Sequence, residues 1–508
     1  MENILARSSY QLFLRTTTTR FACANRPFLR YLTQADVPQA KPASTDKADI
    51  ATQPGLHIRS TASEKNANKE SSKNVASATN SGVRMTAAGI LLPKDSVARP
   101  DADVKSEPAK RKDKNSVKRS ASRDETEREE RRMHGLGTTM KAWQITRFGD
   151  IAGLKLINDA KIPSLNDPFD LLVQIHAASV NPFDVARTRG YGENLIEKMR
   201  DASSFLGLPR LPDLTSLFTR KADPFPITLG RDFSGVVVDA GKAVKGFRTG
   251  DEVYGVVGPH RQGTFAEYSA TSTWCVARKP RTVTHSEAAS VPYIACTAWT
   301  AVKLVANLPD RGQNTRVLVL GGAGGVGSFA IQYLKTLGVH VTTICGTEGM
   351  VLVTELGADD VIDYKTANIE SELNIREKYD VIFQASGNEY EYVKKYLKGN
   401  LKSFFVTLTY PLLKNFDDHG SLVGLLKSGV SFSTEYFKGL SKGSHTIWAF
   451  FTPNGPFLEE VAGLMDQGKI RPVLGKTFPF NELPAAFAQV DSGDTNGKVV
   501  VQIKKDSV

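Results

Sequence analysis

Residues 315–341 read TRVLVLGGAGGVGSFAIQYLKTLGVHV, and the fold is decided in this stretch. The apolar run 316–320 is too short for a helix and rich in Val and Leu, which predicts a strand buried on both faces of a parallel sheet. Five glycines follow, and apolar residues then recur at helical spacing up to Gly338. A second strand is predicted over residues 339–345.

The glycines contain the pattern G-x-G-x-x-G at Gly322, Gly324 and Gly327. Between a strand and a helix this pattern is typical of a dinucleotide-binding unit, because glycines let the backbone approach a pyrophosphate and the helix N-terminus supplies partial positive charge. An ordinary glycine-rich loop is the alternative, and the flanking elements favour the dinucleotide site.

Net charge and cysteines narrow the possible functions of the 508 residues. Residues 1–139 contain 25 Lys and Arg against 16 Asp and Glu, so they carry +9 of the net charge of +11. The remainder is nearly neutral, which argues against nucleic-acid binding. The four cysteines are isolated, so neither a structural zinc site nor a disulfide framework is expected. No apolar run is long enough to predict a membrane-spanning helix.

The first part of the chain differs in composition from the rest. Residues 1–34 contain five arginines, many Ser and Thr, and a single acid, which is typical of a mitochondrial transit peptide; a disordered basic start is the alternative. Residues 35–138 have almost no aromatic side chains, which predicts a disordered low-complexity linker.

The remaining residues predict two intertwined domains. Short strands broken by Gly and Pro make residues 139–278 a mostly β domain, with a polar lid or loop inserted at 193–222. Strands alternate with helices over residues 279–443, which predicts a doubly wound parallel sheet. Its later strands are expected at 361–363, 380–384, 404–408 and about 430–433. Residues 444–508, with an aromatic strand at 447–451 and a last strand from Lys498, are expected to return to the first domain.

Several strings together resemble the quinone oxidoreductase branch of the medium-chain dehydrogenase/reductase superfamily: GRDFSG at 230–235, GDEV at 250–253, the segment 288–298 and the glycine turn. WAFF at 448–451, GKIRPV at 468–473, TFPF at 477–480 and LGADDVIDYK at 356–365 resemble the mitochondrial reticulon-interacting protein family more closely still. The resemblance covers about residues 140–508. It implies an α/β fold in which a GroES-like β domain is split around a Rossmann domain, with the cofactor in the cleft between them. The tail before Met140 and the insertion at 193–222 depart from the family.

Zinc-dependent members of the superfamily carry a Cys ligand and a G-H-E motif where this chain has residues 181–184 and Gly230-Arg231-Asp232. Catalytic zinc needs three converging Cys, His or carboxylate ligands, and they are absent here as a set. We therefore expect no metal and a hydride transfer from reduced nicotinamide to a conjugated or quinoid acceptor.

The resemblance places four residues near the nicotinamide end: Asn181, Asp184, Tyr191 and Thr297. Structural alternatives remain for three of them. Asn181 precedes a proline and can mark a turn, Asp184 can cap a helix, and the Thr297 hydroxyl can bond its own helix.

The choice of cofactor depends on the end of the second strand. An NAD site places Asp or Glu there, about twenty residues beyond the glycines, whereas this chain has Gly346. The resemblance implies that Gly346 and Tyr364 flank a 2′-phosphate, and Lys365 could add charge. Glu348 lies close in sequence, and a lysine found in relatives is replaced near Met350. The pattern favours NADPH and leaves NADH open.

The resemblance implies further cofactor contacts along the chain. They are Ala323, Gly325 and Val326 at the pyrophosphate, Ala385 and Leu408 on the nicotinamide side, Ala449 and Phe451 from the returning strand, and Asp494, Thr495 and Asn496 last. The types of the last three differ from the basic residue expected there.

The function that these features favour is a mitochondrial NADPH-dependent reductase of quinones or related electrophiles, linked by the resemblance to ubiquinone metabolism. The matrix is the expected location. Outer-membrane association, peripheral membrane contact, reticulon-type or ubiquinone-biosynthesis protein partners, and a homodimer are left open. A nucleotide-binding interaction protein with little turnover is one alternative. An enoyl-thioester reductase is another, although the glycines at 321–327 argue against it.

Overall fold

A computed structural model describes residues 137–205, 224–305, 308, 314–387, 391–493, 495 and 497–504. The predicted transit peptide, all but the last two residues of the predicted linker, and residues 206–222 of the predicted lid lie outside these ranges.

The strands are β1 (Thr139–Ile145), β2 (Lys155–Lys161), β3 (Asp170–Val180), β4 (Ile227–Thr228), β5 (Asp232–Ala240), β6 (Glu252–Val256), β7 (Tyr268–Ser272), β8 (Val276–Arg278), β9 (Arg316–Leu320), β10 (His340–Cys345), β11 (Asp360–Asp363), β12 (Val381–Gln384), β13 (Ser403–Thr407), β14 (Ser444–Trp448), β15 (Leu474–Pro479) and β16 (Lys498–Gln502). The α-helices are α1 (Pro182–Thr188), α2 (Glu193–Phe205), α3 (His285–Ala289), α4 (Pro292–Trp299), α5 (Gly325–Thr336), α6 (Met350–Glu355), α7 (Ile369–Asn374), α8 (Leu412–Leu440), α9 (Gly455–Asp466) and α10 (Leu483–Asp491).

Six strands form a parallel sheet in the order β11-β10-β9-β12-β13-β14. Alternate residues of β9 enter different cores. Val317 and Val319 pack with helices α4, α5 and α9, whereas Leu318 and Leu320 pack on the opposite face with residues such as Tyr379. The prediction of a strand buried on both faces is confirmed.

The β domain consists of two sheets, one of three strands and one of seven. In the larger sheet, β16 pairs antiparallel with β3, so that Val500 lies opposite Ser179. Strand β15 lies on the far side of β16. The last strands of the chain thus complete the sheet that residues 170–180 begin, which confirms a β domain split around a Rossmann domain.

Two predictions for the second half are wrong. Strand β14 pairs with β13 in the parallel sheet, so the chain leaves the Rossmann domain after β14, not at residue 444. Residues 430–433 lie inside α8 and form no strand. The rings of Phe432 and Tyr436, one helical turn apart, stack with centroids 6.0 Å apart, and Phe432 also meets Trp448 at 5.3 Å.

The predicted lid begins with a helix. Helix α2 packs against α8, and Asp417 of α8 accepts hydrogen bonds from the backbone N–H groups of Gly192 at 2.5 Å and Asn194 at 3.2 Å. Across the described ranges, none of the helices combines the length and apolar character needed to cross a bilayer.

Candidate active site

The glycine-rich turn joins β9 to α5 at the carboxyl edge of the parallel sheet. Gly321 has a φ of +84°, a conformation that favours glycine. A Cβ on Gly322 would lie 2.0 Å from Thr343 Oγ1, and one on Gly327 would lie 2.1 Å from the Gly321 carbonyl oxygen. Glycine therefore lets α5 begin directly against the strand.

The start of α5 offers an anion-binding surface. Gly324 is the N-cap, and the N–H groups of Gly325, Val326 and Gly327 in the first turn have no carbonyl partner within the helix. Ala323 is half-buried in the preceding turn. The helix dipole adds partial positive charge, so a pyrophosphate fits this turn.

Polar groups gather at the carboxyl end of β10. A Cβ on Gly346 would lie 3.2 Å from Glu348 Oε2, 3.2 Å from the Tyr364 hydroxyl oxygen and 3.4 Å from Lys365 Cε. The Lys365 ammonium lies 2.6 Å from Glu348 Oε1, and this hydrogen bond lowers the pKa of the Glu348 carboxyl. The structure thus brings Gly346, Tyr364 and Lys365 together and adds Glu348 to them.

The residues after the next three strands lie at the same edge of the sheet. Ala385 follows β12 and donates its N–H to the Leu320 carbonyl at 3.0 Å, Leu408 follows β13, and Ala449 follows β14. All three border one core, with Ala385 and Ala449 buried. In doubly wound sheets, ligands bind at the carboxyl ends of the strands.

A buried ion pair in the β domain lies beside the glycine turn. Lys498 is 6% exposed, and its ammonium lies 2.5 Å from Asn181 Oδ1 and 3.5 Å from Asp232 Oδ2. Asn181 Nδ2 also donates to Asp232 Oδ2 at 2.9 Å, and Ser179 donates its hydroxyl to the same oxygen. Burial lowers the pKa of Lys498. A Cβ on Gly325 would lie 3.1 Å from Lys498 Cδ, so this network borders the start of α5.

Asp184 is fully buried beside this network. Its carboxylate accepts from the N–H groups of Asn181 at 2.9 Å and Gly230 at 3.2 Å, and Arg231 Nε lies 4.0 Å away. Burial raises the pKa of Asp184 to about 6, against the opposing effects of Arg231 and the N–H group of Asn181. Burial also lowers the pKa of Arg231 to about 10. These contacts fix the start of α1 against the turn before β5.

Tyr191 lies between α1 and α2. Its ring meets Phe183 edge-on at 6.4 Å, and its carbonyl accepts from Arg187 Nη1 at 3.3 Å. Arg187 is buried and pairs with Glu193 at 2.7 Å, which fixes the start of α2. Burial raises the pKa of the Tyr191 hydroxyl to about 12.

The Thr297 hydroxyl bonds its own helix, which was the structural alternative to a role at the nicotinamide. Its hydroxyl donates to the Tyr293 carbonyl one turn earlier in α4, at 2.7 Å. The ring of Tyr293 stacks on Phe451 with centroids 4.5 Å apart, and its N–H donates to Asp232 Oδ1 at 2.5 Å. Phe451 therefore faces the start of α4. Tyr293 lies at this site as well, and no sequence pattern had marked it as a site residue.

The last predicted contacts lie just before β16. Thr495 is half-buried, and Asp494 and Asn496 lie outside the described residues.

The signal that could have found Lys498 is a charged residue opening the apolar run KVVVQI. Such a lysine is buried only when it is paired.

Within the described ranges, no group of three or more His, Cys, Asp or Glu side chains is placed to hold a metal ion. At the positions that correspond to zinc ligands, the Asp184 and Asp232 carboxylates already face Arg231 and Lys498. Each of these two carboxylates therefore lies beside a cationic side chain.

Two family models match the chain: alcohol dehydrogenase GroES-like domain over residues 167–281, and zinc-binding dehydrogenase over residues 356–501. The chain is 41% identical over 368 residues to the mouse (Mus musculus) protein named NAD(P)H oxidoreductase RTN4IP1, mitochondrial, a match covering 72% of this chain and 90% of the relative. It is 30% identical to the Caenorhabditis elegans protein named reticulon-4-interacting protein 1, mitochondrial, with coverages of 72% and 95%.

Among solved structures, the quinone oxidoreductase of Coxiella burnetii matches with a TM-score of 0.54 and 24% identity, covering 72% of this chain and 99% of that one. At this identity the likeness supports the fold alone. The identity and coverage of the mouse relative go further: the chain belongs to the mitochondrial NAD(P)H oxidoreductase RTN4IP1 family of the medium-chain dehydrogenase/reductase superfamily.

Proposed function

We propose that this protein is a mitochondrial oxidoreductase that transfers hydride from NADPH to a quinone or a related conjugated electrophile. The observation that carries the proposal is the gathering of a phosphate-sized glycine turn, the group at Gly346 and the strand-end residues at one edge of the parallel sheet. The mouse relative is named an NAD(P)H oxidoreductase, which supports a nicotinamide cofactor.

The chain would hold the dinucleotide in three places. The N–H groups of Gly325 and Val326 would bind the pyrophosphate, with Gly322, Ala323, Gly324 and Gly327 shaping the turn. Gly346, Tyr364 and Lys365 would surround the 2′-phosphate. The nicotinamide would lie along Ala385, Leu408, Ala449 and Phe451, with Asp494, Thr495 and Asn496 as the last contacts.

When bound, reduced nicotinamide supplies the hydride, and a conjugated acceptor delocalises the incoming charge without a Lewis acid. Asn181 and Asp184 would act by position: with Lys498 and Arg231 they fix β3 and α1 beside the cofactor turn. The Tyr191 hydroxyl, like that of an ordinary tyrosine, is protonated at neutral pH and can donate a hydrogen bond to an acceptor oxygen; burial raises its pKa further, to about 12. Thr297 would border the cleft from α4.

The ion pairs of Asp184 and Asp232 support a zinc-independent reaction. A chelator assay tests this point: prolonged dialysis against 1,10-phenanthroline should leave the rate of NADPH oxidation unchanged. A loss that zinc restores would contradict it.

The names of the relatives and the composition of residues 1–34 support a proposal for the location and partners of this protein. We propose import into the mitochondrial matrix, directed by the five arginines. A reticulon-type partner is supported only by the name of the C. elegans relative. Deletion of residues 1–34 should leave the protein in the cytosol.

The deciding experiment is a steady-state assay of the purified full chain with NADPH or NADH and a panel of quinones and enones, followed by absorbance of the reduced nicotinamide. Oxidation with quinones and a lower KM for NADPH are expected. No oxidation with any acceptor would favour a nucleotide-binding interaction protein instead.

A further inference from the structure

Helix α8 carries the largest group of exposed apolar side chains in the part of the chain that the structure describes. Six of the fourteen large hydrophobic side chains exposed in the described ranges lie on it: Leu422 (57%), Val423 (47%), Leu425 (40%), Leu426 (60%), Val430 (66%) and Phe437 (47%). At 3.6 residues per turn, all of them except Leu425 fall within an arc of about 100°. We call these six residues the apolar stripe, and it extends about 22 Å along the helix.

The opposite side of the same helix is fixed to the protein. Gly424 and Ser428 are buried, Asn415 Nδ2 donates to Ser428 Oγ at 3.0 Å, and Glu435 accepts from Trp448 Nε1 at 2.9 Å. The stripe is therefore the outward face of a packed helix.

The charges along one border of the stripe are mostly positive. Lys427 and Lys438 are exposed there, and Glu435, which faces Trp448, is the only acid in residues 421–440. Next to this border is a cavity of about 570 Å³ whose charged lining consists of two glutamates, Glu391 and Glu435, and five lysines: Lys378, Lys394, Lys395, Lys438 and Lys442. We call it the lysine cavity.

Three of these lysines form no ion pair within the described residues. Lys394 pairs with Glu391 at 2.7 Å and Lys395 with Glu370 at 2.5 Å. By contrast, Lys378, Lys438 and Lys442 form no ion pair with any described residue. The cavity therefore offers a site for an anionic group at the border of an apolar surface.

We propose that the apolar stripe docks on the surface of an anionic bilayer, with the lysine cavity receiving lipid phosphate. A helix with one apolar face and basic residues along its border lies in the interface of an anionic membrane, because both the apolar and the charged contacts are satisfied there. A second copy of this face would bring lysines against lysines, which is unfavourable in a symmetric contact.

The start of helix α8, before the break in its helical backbone at Gly420, lies close to the candidate active site. Helix α8 begins just after β13 and the strand-end residue Leu408, and near its start Leu413 approaches Gly192 and Asp417 binds the N–H groups before α2. A lipophilic acceptor dissolved in the bilayer would meet the protein on this side, a consequence that rests on the proposed function.

Vesicle sedimentation of the full chain tests the proposal. Wild-type protein should bind vesicles of phosphatidylcholine mixed with phosphatidylglycerol more strongly than vesicles of phosphatidylcholine alone, and added salt should weaken the difference. The double substitution Leu426→Glu and Val430→Glu should lower binding to the mixed vesicles at least about tenfold. Lys438→Gln with Lys442→Gln should lower it several-fold on mixed vesicles only. The matched control is Ile375→Glu, at a side chain 80% exposed elsewhere on the Rossmann domain, and it should bind like the wild type.

Three outcomes would overturn the proposal: no binding of wild-type protein to mixed vesicles, equal binding of the stripe variant, or conversion of a vesicle-free dimer to monomers by the stripe variant, which would make a second copy the occupant. NADPH oxidation with a water-soluble quinone should be the same in all variants. If that activity is absent while vesicle binding follows the stripe, the proposed function fails and the docking surface stands.

Discussion

Glu348 holds the Lys365 ammonium at 2.6 Å, and both side chains are about half exposed. A 2′-phosphate beside Gly346 must compete with this carboxylate for the same lysine. We expect Glu348→Gln to lower the Kd for NADPH about two- to fivefold, the scale of an exposed ion pair, and to leave the Kd for NADH unchanged. Fluorescence titration of both cofactors measures this.

The matched control is Glu355→Gln, which breaks the exposed pair with Arg471 at 2.7 Å. It should leave both Kd values unchanged. If Glu348→Gln lowered the Kd for NADPH and the Kd for NADH by the same factor, Lys365 would not be binding the 2′-phosphate.

We expect His260 to make the stability of the folded protein depend on pH. Burial, with repulsion from Arg261, Arg231 and Arg200, lowers the pKa of this ring to about 4. In the unfolded chain the ring takes up a proton near pH 6.5, whereas in the folded protein it stays neutral down to about pH 4. Between these two pH values protonation favours the unfolded chain, so the stability of the folded protein is fully present above pH 6.5 and is lost as the pH falls toward 4. We expect the Tm of the wild type to fall, relative to the Tm of His260→Gln, as the pH is lowered from about 7 to about 4.5. Parallel Tm profiles for the two proteins would contradict this assignment.

At the scale of elements, the glycines of the turn differ in what they do. Gly325 does not need a positive φ, and a Cβ there would lie 3.1 Å from Lys498 Cδ and 3.4 Å from Ile294 Cγ2, close contacts that a shift of a few tenths of an ångström relieves. Gly327 faces backbone at 2.1 Å, which cannot move aside. We expect Gly325→Val to lower NADPH affinity at least about tenfold with a small loss of stability, and Gly327→Ala to lower the free energy of unfolding by about 1–3 kcal/mol.

Binding and urea unfolding should be measured on the same preparations. Gly463→Val, in open space on α9, is the control for a β-branched residue in a helix. Unchanged NADPH affinity in a folded Gly325→Val protein would remove the glycine turn from the cofactor site.

The elements that sequence predicts best are those with their own internal period. The turn at 321–327 and its flanking strand and helix were predictable because glycine spacing and apolar periodicity are local. The sheet to which β14 belongs was not predictable, because an aromatic strand has the same sequence pattern in either sheet. Only its pairing with β13 shows that it lies in the parallel sheet. Residues 430–433 alternate like a strand, yet Phe432 packs on Trp448 from a helix, and that contact is not visible in the alternation.

At the scale of the whole molecule, Lys498 ties distant segments together. It meets Asp232 from 266 residues away, so no local pattern could have paired them. We expect Lys498→Met to lower the free energy of unfolding by about 3–5 kcal/mol, because Asp232 is left charged and buried without a cation. Urea unfolding measures this loss.

A double-mutant cycle with Asp232→Asn is the control. The double variant should lose less stability than the two single losses added together, because the buried charge has been removed with its partner. Strict additivity would mean that the two side chains stabilise the protein independently.

The antiparallel pairing of β16 with β3 has a consequence for biogenesis. Strand β16, which completes the first sheet, is made after all six strands of the parallel sheet, because it follows β14 in the chain. The parallel sheet can close while the polypeptide is still being threaded, since its six strands are all made earlier. Until β16 is made, residues 177–180 of β3 lack the antiparallel partner on this edge. A stop codon between β14 and β16 would therefore damage a domain most of whose strands precede the Rossmann domain.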